Sequence, residues 1–219
     1  MRQKSEARRQ AILSAAAAVF QETGFERASM SEICLRVGGS KATLYSYFAS
    51  KEELFYEVMT LATEAEFQVT LQALDPAIED MTQALEGFGR RLLTFLHSPQ
   101  VLAVRRLVVA EAGRSDLGRK CYAMGPERSE ADMAEFLQQA MDKGKLRQAN
   151  PRVAALHLKG LLEAEWLDRF LFQILEKSDP EEIARTVQQA VLVFMAAYGP
   201  ETKIEEKNAD VPDASPSAR

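Results

Sequence analysis

Residues 40–54 read Ser40-Lys-Ala-Thr-Leu-Tyr-Ser-Tyr-Phe-Ala-Ser-Lys-Glu-Glu-Leu54. Leu44 and Phe48 stand four apart, the spacing of one helix face, and point into a small core. Lys41, Thr43, Tyr45, Ser46 and Tyr47 then remain outside. Ser40 precedes this short helix as its cap, and Ser50 with Glu53 forms a capping box that opens the next one. Just upstream, Ser29 and Glu32 form another capping box, and Met30, Ile33 and Val37 make the inner face of a helix over 29–36. Gly38 and Gly39 follow as a tight turn, since glycine tolerates backbone angles that other residues resist. Two short helices joined by such a turn form a helix-turn-helix, with the second as recognition helix. Thr43 and Ser46 can read base edges or bind phosphate. The tyrosine hydroxyls can donate to phosphate oxygens, and Lys41 and Lys51 supply charge. An ordinary solvated helix pair explains these exposed tyrosines less well.

Charge agrees with an anionic partner for this end of the chain. The 219 residues carry a formal net charge of −5. Through Lys51 there are eight basic and four acidic residues, a local +4 that leaves −9 on the remainder. The composition is 47% hydrophobic with 11 Gly and 8 Pro, which suits a helical protein with a sizeable core. Cys34 and Cys121 lie far apart in helical patterns and read as small buried hydrophobes, without metal or redox spacing. Residues 1–20 mimic a secretory signal. Glu6 and Gln10 dilute the basic part, and Ile12, Ala16 and Val19 keep helical spacing, so a helix is expected instead. No apolar run reaches the ~18 residues of a membrane span.

The fold class expected is all-α. Asp75-Pro76, Ser98-Pro99, Asn150-Pro151 and Asp179-Pro180 each place a capping residue before a proline at the first helical position. Gly24, Gly113 and Gly144 close helices. The resulting expectation is helices near 3–23, 29–36, 40–47, 51–73, 76–97, 99–112, 115–143, 151–176 and 180–198, the seventh kinked or split by Gly125-Pro126. Residues 1–51 form a three-helix DNA-binding domain, 52–198 a helical ligand-binding and dimerisation domain, and 199–219 a disordered, proline-bearing tail.

The stretch from Ser29 to Met59, with its Ser-Lys-x-Thr-Leu-Tyr-x-Tyr-Phe run, the Ser-Lys-Glu-Glu-Leu after it and Gly24-Phe25 before it, resembles the DNA-binding region of the TetR family of bacterial transcriptional regulators. Val37 and Gly39 stand where that family usually has alanine and valine, and Ala42 where glycine is frequent. The resemblance implies a phosphate-facing cap at Ser29, base-facing positions at Lys41, Ala42 and Thr43, and phosphate clamps at Tyr45, Tyr47 and Lys51, with Ser46 between them. Residues 106–137 and the helix after them resemble an AefR-like C-terminal domain, which implies effector binding and dimerisation. The implied function is a repressor that binds a palindromic operator as a homodimer and is released by a small-molecule effector.

Two apolar helices support dimerisation independently. Residues 190–198, Ala-Val-Leu-Val-Phe-Met-Ala-Ala-Tyr, are apolar all round, and a helix of that kind is buried on every side. Leu167, Leu171, Val187, Val191 and Phe194 are therefore assigned to a four-helix bundle between two copies. Phe67, Phe95, Arg105, Val109, Tyr122, Met124, His157, Glu163 and Trp166 are the candidates for an effector site. Both charge signs occur there, so neither an anionic nor a cationic effector is singled out. No cofactor or metal is expected. An enzyme is disfavoured because no nucleophile–base pairing or phosphate-cradling glycine loop occurs. A helical adaptor for another protein is the remaining alternative: a shift of random duplex DNA at low salt supports the regulator, turnover without DNA affinity an enzyme, and neither of these the adaptor. The setting expected is the cytoplasm.

Overall fold

A computed structural model describes residues 5–72, 74, 78–174 and 179–200. The described residues form α1 (Glu6–Arg27), α2 (Met30–Val37), α3 (Lys41–Tyr47), α4 (Lys51–Gln72), α5 (Met81–Leu96), α6 (Pro99–Glu111), α7 (Leu117–Met124), α8 (Pro126–Asp142), α9 (Pro151–Glu163), α10 (Leu167–Leu171) and α11 (Pro180–Tyr198). The expected caps do their work. The side chains of Ser29, Ser40, Ser98, Asn150 and Asp179 each accept from a backbone N–H in the first turn of the following helix. That satisfies donors with no partner inside the helix.

Two hydrophobic cores result. The N-terminal core joins α1 to α4 through Ile12, Ala16, Val19, Ile33, Leu44, Phe48 and Leu54. Gly24, at φ 77°, turns the end of α1 so that Phe25 meets Phe55 at 4.9 Å between ring centroids, and Phe20 meets Phe55 edge-on at 5.1 Å. Leu54, Phe55 and Val58 belong to this core. The start of α4 therefore packs with the N-terminal unit, beyond the boundary expected at residue 51. The C-terminal core is a bundle of α5, α8, α9 and α11. Gly89 on α5 allows its closest approach: a Cβ there would lie 2.9 Å from side-chain carbons of both Leu162 and Val187. A smaller cluster of Phe67, Leu71, Phe95 and Val101 ties α4 to α5 and α6. Further along α6, Ala103, Val104 and Leu107 rest on the N-terminal core.

Several helix limits differ from the sequence expectation. Asp75-Pro76 lies outside the described residues, and 78–80 are not helical; α5 begins at Met81, capped by Asp80. Gly125-Pro126 splits the seventh expected helix into α7 and α8. The helix expected over 151–176 breaks at 164–166. No glycine or proline occurs there. The chain turns where Trp166 buries its indole against His97, 4.6 Å between centroids, and this packing outweighs continued helix. Beyond α10, Gln173 takes a left-handed φ of 58°. From residue 201 the expected tail lies outside the described residues.

Candidate nucleic-acid interface and ligand cavity

α3 is anchored from within and open outward. Leu44 and Phe48 are buried, while Lys41, Ala42, Thr43, Tyr45 and Ser46 are exposed. Ser40 Oγ accepts from the Thr43 N–H at 3.1 Å and lies 2.9 Å from Thr43 Oγ1. Ser46 Oγ donates to the Thr43 carbonyl at 2.7 Å. These local bonds hold short polar side chains on the open face, which suits contact with groove edges and phosphate. Ser29 is exposed and caps α2, accepting from the Glu32 N–H at 3.2 Å. Tyr47 is half-buried, and its hydroxyl accepts from the Ser5 N–H at 3.0 Å, which ties the start of α1 to α3. Lys51 turns away from the open face. Its Nζ donates to the Phe25 carbonyl at 2.8 Å and sits 4.2 Å from the centroid of the Phe25 ring. A cation suits the carbonyl end of α1, so this position supports a role in holding α1 to α4 rather than a phosphate clamp.

Sequence reasoning missed Arg8 and Arg9. The Arg8 guanidinium donates to the Val37 and Gly38 carbonyls at the end of α2. Gly38 and Gly39, with φ of 74° and 109°, supply the left-handed turn that presents those carbonyls. A Cβ on Gly39 would meet Arg8 Nη2 at 2.6 Å. Arg9 pairs with Glu57 at 2.7 Å and lies over the Phe48 ring. In the sequence both arginines register only as basic charge; their partners lie some thirty to fifty residues away and are brought near by folding.

A cavity of about 230 Å³ opens between α4, α5, α6, α7, α8 and α9. Of the residues proposed from sequence, Phe67, Phe95, Arg105, Met124 and Glu163 line it. Four others lie outside this wall. Val109 is exposed on α6, beyond the wall. Tyr122 is exposed on α7, its hydroxyl donating to Glu130 at 3.3 Å. His157 pairs with the Tyr198 hydroxyl at 2.6 Å where α9 meets α11. Trp166 is buried against His97, outside the wall. The wall gains Tyr56, Thr60, Phe88, Glu130 and Lys159, which no sequence pattern separates from core or surface residues.

Charge inside the wall is paired. Arg105 meets Glu163 at 2.9 Å and Lys159 meets Glu130 at 2.7 Å. Arg105 also lies 4.4 Å from the centroid of the Phe170 ring. Next to this pair, burial and the positive charge of Arg105 hold the His97 imidazole down at about 4. Both His97 ring nitrogens and Trp166 Nε1 are buried without a hydrogen-bond partner among the described residues. Burial raises the Cys121 thiol above its ordinary range, which favours the protonated form at this wall position. On the side toward α3, Tyr56 donates its hydroxyl to Met124 Sδ at 3.7 Å, linking α4 to α7.

Three of the five residues expected at a dimer interface lie inside the chain's own core. Val187, Val191 and Phe194 are fully enclosed in the chain's own core and have no surface left for a partner. The apolar groups left outside on these three helices include Val153 and Leu156 on α9, Leu167 and Leu171 on α10, and Leu192 and Val193 on α11. A helix that is apolar all round needs two neighbours, and sequence alone does not say which side each takes. Among the described residues no single helix is long and apolar enough to cross a membrane.

These features coincide with known proteins. Residues 12–58 match the model of bacterial regulatory proteins of the tetR family, and residues 83–200 match the AefR-like transcriptional repressor C-terminal domain. The HTH-type transcriptional regulator UidR of Escherichia coli K12 is 32% identical over 117 residues, spanning 48% of this chain and 60% of that regulator, less than two thirds of its length. A crystal structure of a TetR-family transcriptional regulator from Mesorhizobium loti superposes with a TM-score of 0.75 at 30% identity, covering 90% of this chain and all of that one. The flavonoid-responsive regulator FrrA gives a TM-score of 0.67 at 28% identity over 90% of this chain and 100% of its own. Such relatives are transcriptional regulators and not enzymes. The chain belongs to the TetR family of DNA-binding transcriptional regulators, with an AefR-like C-terminal domain.

Proposed function

We propose that the protein is a cytoplasmic homodimeric repressor that occupies a palindromic operator and leaves it when a small molecule fills the cavity. The observation that carries this reading is that α4 and α6 serve both ends of the molecule. Tyr56 and Thr60 of α4 and Val104 of α6 line the cavity, while Phe55 and Val58 of α4 and Ala103 and Leu107 of α6 pack in or on the N-terminal core. A ligand that moves either helix moves α3. A twofold operator presents half-sites about one DNA turn apart, so a small change in the spacing of two α3 helices removes one contact. The exposed apolar groups on α9, α10 and α11 support pairing of two chains. The repressor description of the C-terminal match supports repression, and the name of FrrA supports a small-molecule signal.

The test is direct. Genome-wide mapping of bound DNA identifies operators, and fluorescence anisotropy on one of them gives affinity and stoichiometry. Two chains per palindrome, and a reporter that rises when the gene is deleted, are the expected results. A single chain binding as tightly as two, or a reporter that falls on deletion, contradicts the dimeric repressor.

A further inference from the structure

The cavity wall restricts the chemistry of its occupant. Its floor is built from the rings of Phe67, Phe88 and Phe95 with aliphatic side chains between them. Phe67 and Phe95 meet at 5.6 Å between centroids, tilted by 34°. Aromatic occupants suit such a wall through offset and edge contacts. At about 230 Å³ the space lies below the usual range of roughly 300–1,000 Å³ for drug-sized ligands. Two fused rings suit it better than a long chain.

Charge sets the second restriction. Every charged side chain in the wall already has an opposite partner: Arg105 with Glu163 at 2.9 Å, Lys159 with Glu130 at 2.7 Å, and Glu64 with Arg128 at 3.2 Å. The Arg105 and Glu163 side chains are only 21% and 13% exposed. A formally charged ligand would find no unpaired counter-charge, and splitting a pair to make one leaves a charge stranded beside the cavity. A neutral hydroxyl avoids this. It can accept from a guanidinium N–H and donate to a carboxylate oxygen while the pair stays closed, because both groups keep hydrogen-bonding capacity beyond the one bond they share. Behind the wall and outside its lining, His97 is uncharged at neutral pH and so supplies no counter-charge either.

We infer that the cavity takes an uncharged, hydroxylated aromatic compound of about two rings, its hydroxyl read by the Arg105–Glu163 pair. This rests on the cavity being a ligand site, and it narrows the ligand to one chemical class.

The test measures binding to the full chain without DNA, by calorimetry at neutral pH, using four probes on one two-ring frame: 2-naphthol, naphthalene, 2-naphthoate and 2-naphthylmethylammonium. 2-Naphthol is expected to bind at least about tenfold more tightly than each of the other three, the worth of one hydrogen bond to a charged group. Glu163→Gln leaves Arg105 without its counter-charge, so 2-naphthoate should then overtake 2-naphthol. Tighter binding of the naphthoate or the ammonium to the unaltered protein overturns the inference, as does failure of all four to bind. The unaltered protein decides the matter even where Glu163→Gln does not fold. Operator release is scored separately: 2-naphthol that binds without releasing DNA contradicts the effector reading and leaves the ligand class standing.

Discussion

Lys120 on α7 donates from Nζ to Glu53 Oε1 on the first turn of α4 at 2.9 Å. The other oxygen of the same carboxylate accepts from the Ala49 N–H at 2.7 Å, just past α3. Burial alone would push the Glu53 carboxyl up, but the bonds from Lys120 and Ala49 outweigh it and hold the group below its ordinary range. One side chain thus joins the segment that ends the recognition helix to a helix of the cavity wall.

Lys120→Met should loosen that connection. Ligand-free affinity for DNA is expected to change little, since the Ser50–Glu53 capping bond at 3.0 Å remains. The loss of DNA affinity caused by 2-naphthol is expected to shrink by about two- to thirtyfold, the range for about 0.5–2 kcal/mol of coupling. Anisotropy titrations with and without the probe measure it. Unchanged coupling would assign transmission to the direct packing of α4 and α6, without α7.

The exposed face of α3 separates two kinds of DNA contact. Lys41→Ala should weaken binding to all sequences and make the log–log salt slope shallower by about 2 per dimer, one released counterion for each chain. Thr43→Ala should change the preferred base at one fixed position in each half-site. Lys51→Ala should leave the salt slope nearly unaltered and lower folding stability by about 1 kcal/mol, because its ammonium holds the end of α1 and the Phe25 ring. A slope change for Lys51→Ala as large as for Lys41→Ala would return Lys51 to the phosphate contacts.

Light scattering behind a sizing column can locate the partner surface. Leu156→Glu and Leu192→Glu alter exposed groups, so each chain should stay folded and become monomeric. Val191→Glu places a carboxylate in a fully enclosed site and should cost several kcal/mol, unfolding the chain rather than parting two folded ones. Dimers that persist in both leucine variants would move the interface elsewhere.

Acid should destabilise the protein through His97. Its folded value of about 4 lies below the ordinary 6.5, so the unfolded chain binds the proton first as pH falls. The contribution is fully present above about 6.5, is lost as pH drops toward about 4, and amounts to about 3 kcal/mol. Denaturant titrations from neutral pH to 4.5 should show this loss in the native protein. In His97→Gln the part of the loss due to this residue should vanish, leaving only the carboxylate contribution. Equal slopes in the two proteins would contradict the buried neutral imidazole.

The N-terminal unit was legible because its information is local. Ser29, Ser40 and Ser50 cap helices within three residues of themselves, the Gly38-Gly39 turn follows from its own backbone angles, and the Leu44–Phe48 spacing decides which side chains of α3 face outward. All-α class, the helix-turn-helix, the family and the split at Gly125-Pro126 were therefore open to reading along the chain.

The C-terminal half turned on contacts between distant residues. Val187, Val191 and Phe194 look no different in sequence from Leu192 and Val193, yet the core shared with α5 and α9 encloses the first three and leaves the last two outside. Trp166 broke a helix that nothing in its own stretch interrupts, because His97, far back at the end of α5, offered its indole a buried neighbour. Lys51 was drawn to the end of α1, and Arg105 was matched to Glu163 fifty-eight residues away. Periodicity along one helix states how apolar its surface is. Which neighbour covers each part of that surface, and which charges find partners, is settled only when all the helices compete for the same buried space.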